Sequence, residues 1–292
     1  MKKVIAVLFM LAVFALLSGG TAAVSEDAGT LLSNDKAKVD VSNLSDGYIR
    51  VAYTGGGSMA IKVLVTDSNR KVQYKYNLNN KGEFESFPLS EGNGTYSVDV
   101  YTNITGTRYA LAFSTSFEVE LSDAMSPFLA SNQYVDYAEK PDIAKKAESL
   151  TRDLKTDIEK IRAVYNFVVK EITYDYDRAK AVTNGTLKNY LPDVDDVLKQ
   201  KKGICFDYAA VIASMLRMNG IPCRMVLGYS GKTYHAWIDV YTSEKGWVNT
   251  MISFEGDKWR MMDPTYASTG KQSRAIMRYI NNPKNYSPKY YY

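Results

Sequence analysis

The strongest constraint in this sequence is a change of hydrophobic period near residue 122. Between residues 36 and 121, apolar and polar residues alternate in short runs, and breaks rich in Gly, Asn and Asp separate the runs. A period of two is typical of half-buried strands, and seven such runs predict a small antiparallel, immunoglobulin-like sandwich. The runs are 38–41, 48–53, 60–65, 72–76, 83–89, 96–101 and 109–121. Because they contain no Cys and no His, we expect this domain to be a spacer or a binding module.

Beyond residue 122 the hydrophobic period becomes helical. Thr156–Glu159 can form a capping box, and apolar residues then recur every three or four positions as far as Ile172. After a loop region with a short helix near 193–199, a second helix is predicted from about Cys205 to Met218, where Asn219–Pro222 ends it. Four strands are predicted next, at 224–228, 234–241, 247–251 and 258–262. Helices followed by antiparallel strands indicate an α+β domain. We expect the Tyr-rich tail, 281–292, to be loosely ordered unless its tyrosines pack.

The first residues have the features of a targeting signal. Lys2 and Lys3 precede an unbroken apolar run of 14 residues, Val4–Leu17, and small residues follow it. The run is shorter than the ~20 residues that span a bilayer, although an uncleaved N-terminal anchor is the alternative. We therefore predict a signal peptide over 1–23, a linker over 24–35, the sandwich over 36–121 and a second domain over 122–292. The protein is expected to be secreted or extracytoplasmic and bacterial, with the signal peptide as its only membrane contact.

Composition excludes several classes of function. The chain has 36 Lys and Arg against 32 Asp and Glu, and no basic block indicates a nucleic-acid partner. With two Cys and one His in 292 residues, neither a disulfide scaffold nor a His-rich metal site is available. We expect no metal and no cofactor.

Cys205 is the first candidate for chemistry. Gly203 permits a tight turn just before it, and the predicted helix starts at the cysteine. A helix N-terminus favours the thiolate, and its free N–H groups can hold an oxyanion formed by attack on a carbonyl. The alternative is a small buried hydrophobe, which is how most free cysteines behave.

His235 and Asp263 complete a possible catalytic set. His235 begins a strand in which Ala236, Ile238 and Val240 form one apolar face, so its imidazole lies on the opposite face. Asp263 follows another predicted strand, and its carboxylate could orient the imidazole; the alternative is an ordinary Asp-Pro turn. The three residues would then supply nucleophile, base and orienter.

Four blocks in this order and spacing resemble the transglutaminase-like superfamily. They are Gly203–Ala209, Met215–Arg224, His235–Trp237, and Trp259 with Asp263–Thr265, within a core of about 157–266. The resemblance implies a papain-like fold with a Cys-His-Asp triad, which corresponds to Cys205, His235 and Asp263. Members of the superfamily include crosslinking acyltransferases, cysteine proteases and amidases, besides proteins with no demonstrated activity. The acidic calcium-binding insertions of the animal crosslinking enzymes are not visible here.

The resulting hypothesis is an exported cysteine-dependent acyl-transfer enzyme acting on peptide or carboxamide bonds, either by hydrolysis or by crosslinking. Its partner would be a peptide or protein substrate, which could include a cell-wall or surface protein. The alternative is a non-catalytic module that binds a peptide or a cell surface through the same cleft. Trp237, Tyr174 and Gln200 are candidate substrate-binding residues, the last two as a second oxyanion donor, but core packing accounts equally well for the aromatic ones. Helix geometry keeps Cys205 about 20 Å from the far end of its helix, so Cys205 and Cys223 should both be free thiols.

Overall fold

The N-terminal part of the chain is a two-sheet β-structure. The computed structural model describes residues 30–248, 253–255, 258–260, 264–269, 278–279 and 282–292. Its first eight strands are β1 (Leu31–Ser33), β2 (Ala37–Asp40), β3 (Tyr48–Tyr53), β4 (Ile61–Asp67), β5 (Val72–Leu78), β6 (Glu85–Pro88), β7 (Gly94–Thr105) and β8 (Arg108–Val119). They form two antiparallel sheets, ordered β1-β2-β3-β6 and β5-β4-β7-β8. Every second residue of β4 is buried, which is the burial pattern that the sequence alternation predicts.

Strand β1 lies where a linker was predicted. Leu31–Ser33 pairs with β2 in antiparallel register, Leu31 opposite Asp40, so this part of 24–35 belongs to the sheet. The strand has only three residues, none of them fully buried, and it lies at the sheet edge. Because a short exposed edge strand needs no alternating pattern, the sequence carries no signal for it. The predicted signal peptide, 1–23, lies outside the described residues.

The second part of the chain is mixed helix and sheet. Its helices are α1 (Pro141–Thr151), α2 (Asp157–Glu171), α3 (Tyr176–Thr183), α4 (Val194–Gln200), α5 (Cys205–Met218) and α6 (Pro264–Thr269). The predicted capping box at the start of α2 is present, with Thr156 and Glu159 each accepting from the other's backbone N–H. Helix α3 lies in the predicted loop, and none of its residues is buried, so it has no apolar face for hydrophobic periodicity to detect.

The helix that begins at Cys205 packs on an antiparallel sheet, as predicted. Its strands are β11 (Cys223–Ser230), β12 (Thr233–Thr242), β13 (Gly246–Val248) and β16 (Tyr286–Tyr291), in the order β13-β12-β11-β16. Helix α5 contacts β11 and β12. Arg217 of α5 donates a hydrogen bond from its Nε to the carbonyl oxygen of Cys223 in β11 at 2.8 Å. Two smaller pairs are the parallel β9 (Thr173–Tyr174) with β10 (Lys202–Gly203), and the antiparallel β14 (Ser253–Glu255) with β15 (Lys258–Arg260).

The tail closes the sheet and joins the two parts of the chain. Its tyrosines do pack: β16 pairs with β11, and Tyr292 is buried against Tyr76 of the sandwich and Tyr134, with ring centroids 5.9 and 4.4 Å away. The tail is therefore ordered where the structure describes it, because its tyrosines pack. Below this cluster the buried Arg217 guanidinium donates hydrogen bonds to the carbonyl oxygens of Ala130, Cys223 and Tyr292 at 2.6–2.8 Å. Burial lowers the pKa of Arg217 to about 10, so it remains charged at neutral pH.

Candidate active site

Cys205 is the first residue of α5, a helix whose remaining residues are almost all buried. Ile204 is the N-cap, in extended conformation, and its carbonyl oxygen accepts from the N–H of Tyr208. The Cys205 side chain is half-buried, so the thiol lies at the edge of the core rather than within it. The first N–H groups of any helix have no acceptor within the helix, and Cys205 is the first residue of α5. A carbonyl oxygen that becomes negatively charged beside Cys205 would meet these donors.

Asp207 holds the start of α5 in place. Its carboxylate accepts a hydrogen bond from the N–H of Ile204 at 2.7 Å, and the side chain is 0% exposed. A Cβ at Gly203 would lie 2.6 Å from the Cβ of Asp207. The structure thus gives a different reason for the glycine at position 203 than the predicted tight turn. Gly203 lies in β10 opposite Tyr174, and glycine is required because Asp207 packs directly against its backbone.

The Asp207 carboxylate also accepts hydrogen bonds from residues that are distant in the sequence. The Tyr190 hydroxyl donates to Asp207 Oδ1 at 2.6 Å, and Arg178 Nη1 donates to Oδ2 at 3.3 Å. Arg178 also donates to the Tyr190 hydroxyl at 2.8 Å, and its guanidinium lies 5.3 Å from the centre of that ring. Burial raises the pKa of Asp207, although these hydrogen bonds and the Arg178 charge act to lower it. Burial and the adjacent Asp207 also raise the pKa of Tyr190, so the phenol stays protonated as a donor.

Sequence reasoning missed this network. An Asp in the first turn of a helix is common, because a carboxylate is favoured at the positive end of the helix dipole, so Asp207 carries no distinct signal. Arg178 lies on α3, the helix for which the sequence has no periodic signal.

His235 lies near the start of β12, opposite Gly228 of β11. As predicted, it lies on the sheet face away from Ala236, and it shares that face with Trp237. The imidazole is buried and lies against the Trp237 ring, with centroids 6.1 Å apart and planes at 26°. Trp237 in turn contacts Tyr286 of β16 at 5.3 Å. The imidazole is therefore supported by a buried aromatic layer; Asp263 lies outside the described residues.

Tyr234, which precedes His235, is a residue of the site that sequence reasoning did not select. Burial raises the pKa of its hydroxyl, and the nearby Tyr290, Tyr229 and Cys205 raise it further. Tyr234, at the start of β12, is therefore within electrostatic range of Cys205. The position of Tyr234 between a strand start and the candidate base was the only sequence signal.

The three candidate substrate-binding residues occupy different environments. Trp237 is 2% exposed and supports His235, as described. Tyr174 is half-buried in β9 beside Gly203, and its ring contacts that of Tyr176 at 5.0 Å. Gln200 ends α4, donates to Asp196 at 2.6 Å and accepts from Arg178 at 3.3 Å, so it joins the Arg178 network.

Both cysteines are free, as expected. Cys223 is fully buried, and burial raises the pKa of its thiol to about 12. It is thus an unreactive internal reference for Cys205. Within the described part of the chain there is no group of three potential metal ligands and no helix long and apolar enough to span a membrane.

Comparison with known proteins assigns the region that carries the site. Residues 144–251 match the model of the transglutaminase-like superfamily. Human kyphoscoliosis peptidase is 28% identical over 131 residues, which are 41% of this chain and 17% of that protein. Protein-glutamine gamma-glutamyltransferase of Pseudomonas aeruginosa is 33% identical over 88 residues, or 25% of this chain and 11% of that protein.

Among solved structures, the periplasmic domain of TgpA from Pseudomonas aeruginosa aligns with a TM-score of 0.36 and 15% identity, over 85% of this chain and 98% of that one. The matched segments cover less than a fifth of either curated relative's length. The sequence match includes α5 with Cys205 and β12 with His235. Residues 144–251 of this chain therefore form a transglutaminase-like domain.

Proposed function

We propose that this protein is an exported cysteine-dependent acyl-transfer enzyme that acts on peptide or carboxamide bonds through a thioester on Cys205. The observation that carries the proposal is the position of the half-buried Cys205 at the first residue of α5, which the buried Asp207 fixes through the N–H of Ile204. A nucleophile of this kind needs a helix N-terminus that does not shift when the substrate carbonyl becomes tetrahedral.

In the proposed reaction, the Cys205 thiolate attacks the carbonyl carbon and the π electrons move to the oxygen. The first-turn N–H groups of α5 bind this oxyanion. His235, protonated, gives its proton to the leaving nitrogen as the C–N bond breaks, so an amine departs and a thioester remains. Asp263 orients the imidazole. Water or a second amine, deprotonated by His235, then attacks the thioester and releases Cys205, giving an acid or a new amide.

The choice between water and an amine decides between hydrolysis and crosslinking. The similar proteins described above include one named as a peptidase and one named as a protein-glutamine gamma-glutamyltransferase. A thioester that is shielded from water lives long enough to meet an amine, so accessibility at Cys205 controls the outcome. The substrate in either case is a peptide or protein, and because residues 1–23 resemble a signal peptide it would be met outside the cytoplasm. No step needs a metal or a cofactor.

The first test is alkylation of the full chain with iodoacetamide between about pH 5 and 9. Peptide mass spectrometry would follow Cys205 and, as the internal reference, Cys223. We expect Cys205 to be labelled much faster than Cys223 at pH 6, and expect His235→Ala and Asp263→Asn to slow it. Equal alkylation rates of Cys205 in wild type and in His235→Ala would show that His235 does not support the thiolate, and would refute the mechanism.

The second test separates the two reactions. A protein substrate is incubated with the enzyme and a labelled primary amine; new carboxylates report hydrolysis, and incorporated label reports acyl transfer. Cys205→Ala should abolish both while leaving the urea unfolding midpoint within experimental error. Product formation by Cys205→Ala would exclude the thioester route. Peptide binding that is equal in both proteins, with no product from either, would instead support a non-catalytic binding module.

A further inference from the structure

Two exposed tyrosines form a ring pair at the end of the catalytic sheet. Tyr234 is 52% exposed and Tyr229 is 36% exposed, although aromatic side chains are usually covered. Their rings meet edge to face with centroids 5.4 Å apart, and the two residues are direct cross-strand partners in β11 and β12. This pairing fixes both rings as one surface, which we call the tyrosine platform.

A series of packed side chains links the start of α5 to the tyrosine platform. Phe206, which follows Cys205, contacts the ring of Tyr134 at 5.3 Å, and Tyr134 contacts Tyr292 at 4.4 Å. Tyr292 leads along β16 to Tyr290, which pairs with Leu227, two residues before Tyr229. The side chains of Leu227 and Tyr229 share a sheet face, so packed side chains connect the start of α5 to the strand that carries Tyr229. The charge of Cys205 contributes to the raised pKa of Tyr234, which agrees with this connection.

The charge beside the tyrosine platform is positive. The ammonium group of Lys289 lies 5.2 Å from the centre of the Tyr229 ring, and Lys232 is exposed in the turn between the two strands. Within the described residues neither lysine takes part in an ion pair, whereas Lys202 and Arg178 near the site are both paired with Asp175. The platform therefore presents an apolar aromatic surface next to an unpaired cation.

We propose that the tyrosine platform is a substrate-binding subsite that takes an aromatic side chain adjacent to a carboxylate, next to the bond that Cys205 attacks. The aromatic ring stacks on Tyr234 and Tyr229, and the carboxylate pairs with Lys289. This inference rests on the proposed function, since it assigns a substrate class to the same site. It selects peptides that are both aromatic and acidic near the reacting carbonyl.

The test uses alkylating probes, so no natural substrate is needed. In each alkylation the Cys205 sulfur displaces iodide from the probe, forming a C–S bond. Rates at Cys205 are measured for N-ethyl-iodoacetamide, N-(2-phenylethyl)-iodoacetamide, N-iodoacetyl-phenylalanine and its neutral methylamide, each divided by the rate with free cysteine. We expect the aromatic probe to react about five- to tenfold faster than the ethyl probe, because a stacked ring pair has an energy of about 1 kcal/mol. We expect a further preference for the phenylalanine carboxylate over the methylamide.

Variants locate these preferences on the tyrosine platform. Tyr234→Ala should remove the aromatic preference, Tyr234→Phe should keep it, and Lys289→Gln should remove only the preference for the carboxylate. Phe84→Ala is the matched control, because Phe84 is an exposed aromatic with Arg50 at 5.5 Å on the sandwich. An aromatic preference that is absent in the wild type, or unchanged in Tyr234→Ala, would overturn the inference. Because the readout is a ratio of rates at one thiol, it remains interpretable even if the pH test shows no His-paired thiolate.

Discussion

Replacing Tyr190 with Phe tests whether the buried network supports the start of α5. The change removes one hydroxyl and keeps the ring, and so keeps its contact with the Arg178 guanidinium at 5.3 Å. The lost hydroxyl donates to Asp207 Oδ1 at 2.6 Å and accepts from Arg178 Nη1 at 2.8 Å. Asp207 retains its bonds from Ile204 at 2.7 Å and Arg178 at 3.3 Å, so its charge remains partly compensated.

The expected loss is about 2 kcal/mol in the free energy of unfolding. Hydrogen bonds to charged groups contribute about 1.5–3 kcal/mol, and a fully buried carboxylate cannot replace the lost donor with water. Urea unfolding followed by tryptophan fluorescence measures the change. Tyr176→Phe is the matched control, because Tyr176 is 66% exposed and its hydroxyl makes no hydrogen bond within the described residues; we expect less than about 0.5 kcal/mol there.

The loss should also depend on pH. Burial already raises the pKa of Asp207 in the folded protein, and removing the Tyr190 donor raises it further. A raised folded-state pKa means that the folded protein binds the proton more tightly than the unfolded chain. The penalty of the ionised carboxylate is therefore largest at neutral pH and is relieved as the pH falls. We expect a smaller difference between Tyr190→Phe and wild type at about pH 5 than at about pH 7. A loss that equals the Tyr176→Phe control, or that does not change with pH, would refute this account.

Four other changes test the fold. Tyr76→Phe should raise the free energy of unfolding by about 1 kcal/mol, because the buried Tyr76 hydroxyl has no partner within the described residues; an unchanged urea midpoint would contradict this. Gly203→Ala should lower both stability and the alkylation rate of Cys205, because its Cβ would lie 2.6 Å from that of Asp207. Arg217→Lys should lower the free energy of unfolding by about 2–4 kcal/mol, since one ammonium cannot reach three carbonyl oxygens. A loss below about 1 kcal/mol would show that other groups can donate hydrogen bonds to these oxygens. Between about pH 10 and 12 stability should fall by about 1.4 kcal/mol per pH unit for Tyr134, whose pKa burial raises to about 12, because only the unfolded chain releases the proton in this range; phenolate absorbance during alkaline unfolding measures this.

Local patterns predicted the elements whose residues carry their own signals. The bounds of α5 follow from its apolar residues and from Gly220, which has a positive φ of 72° just after the helix. Helix α2 follows from its capping box, and the sandwich strands from their alternation. The candidate nucleophile and the face of His235 were available from the same patterns, since each depends only on position within one helix or one strand.

Tertiary structure decided what depends on contacts between distant segments. Helix α3 has no buried residue and the edge strand β1 only a half-buried one, so neither has a periodic signal. The order of the tail depends on the packing of Tyr290 and Tyr292 against the sandwich, which no feature of the tail itself reveals. The compensation of Asp207 joins residues 17 and 29 positions away in the chain. Sequence periodicity records which side of an element is buried, whereas the partner that buries it is fixed only when the whole chain has packed.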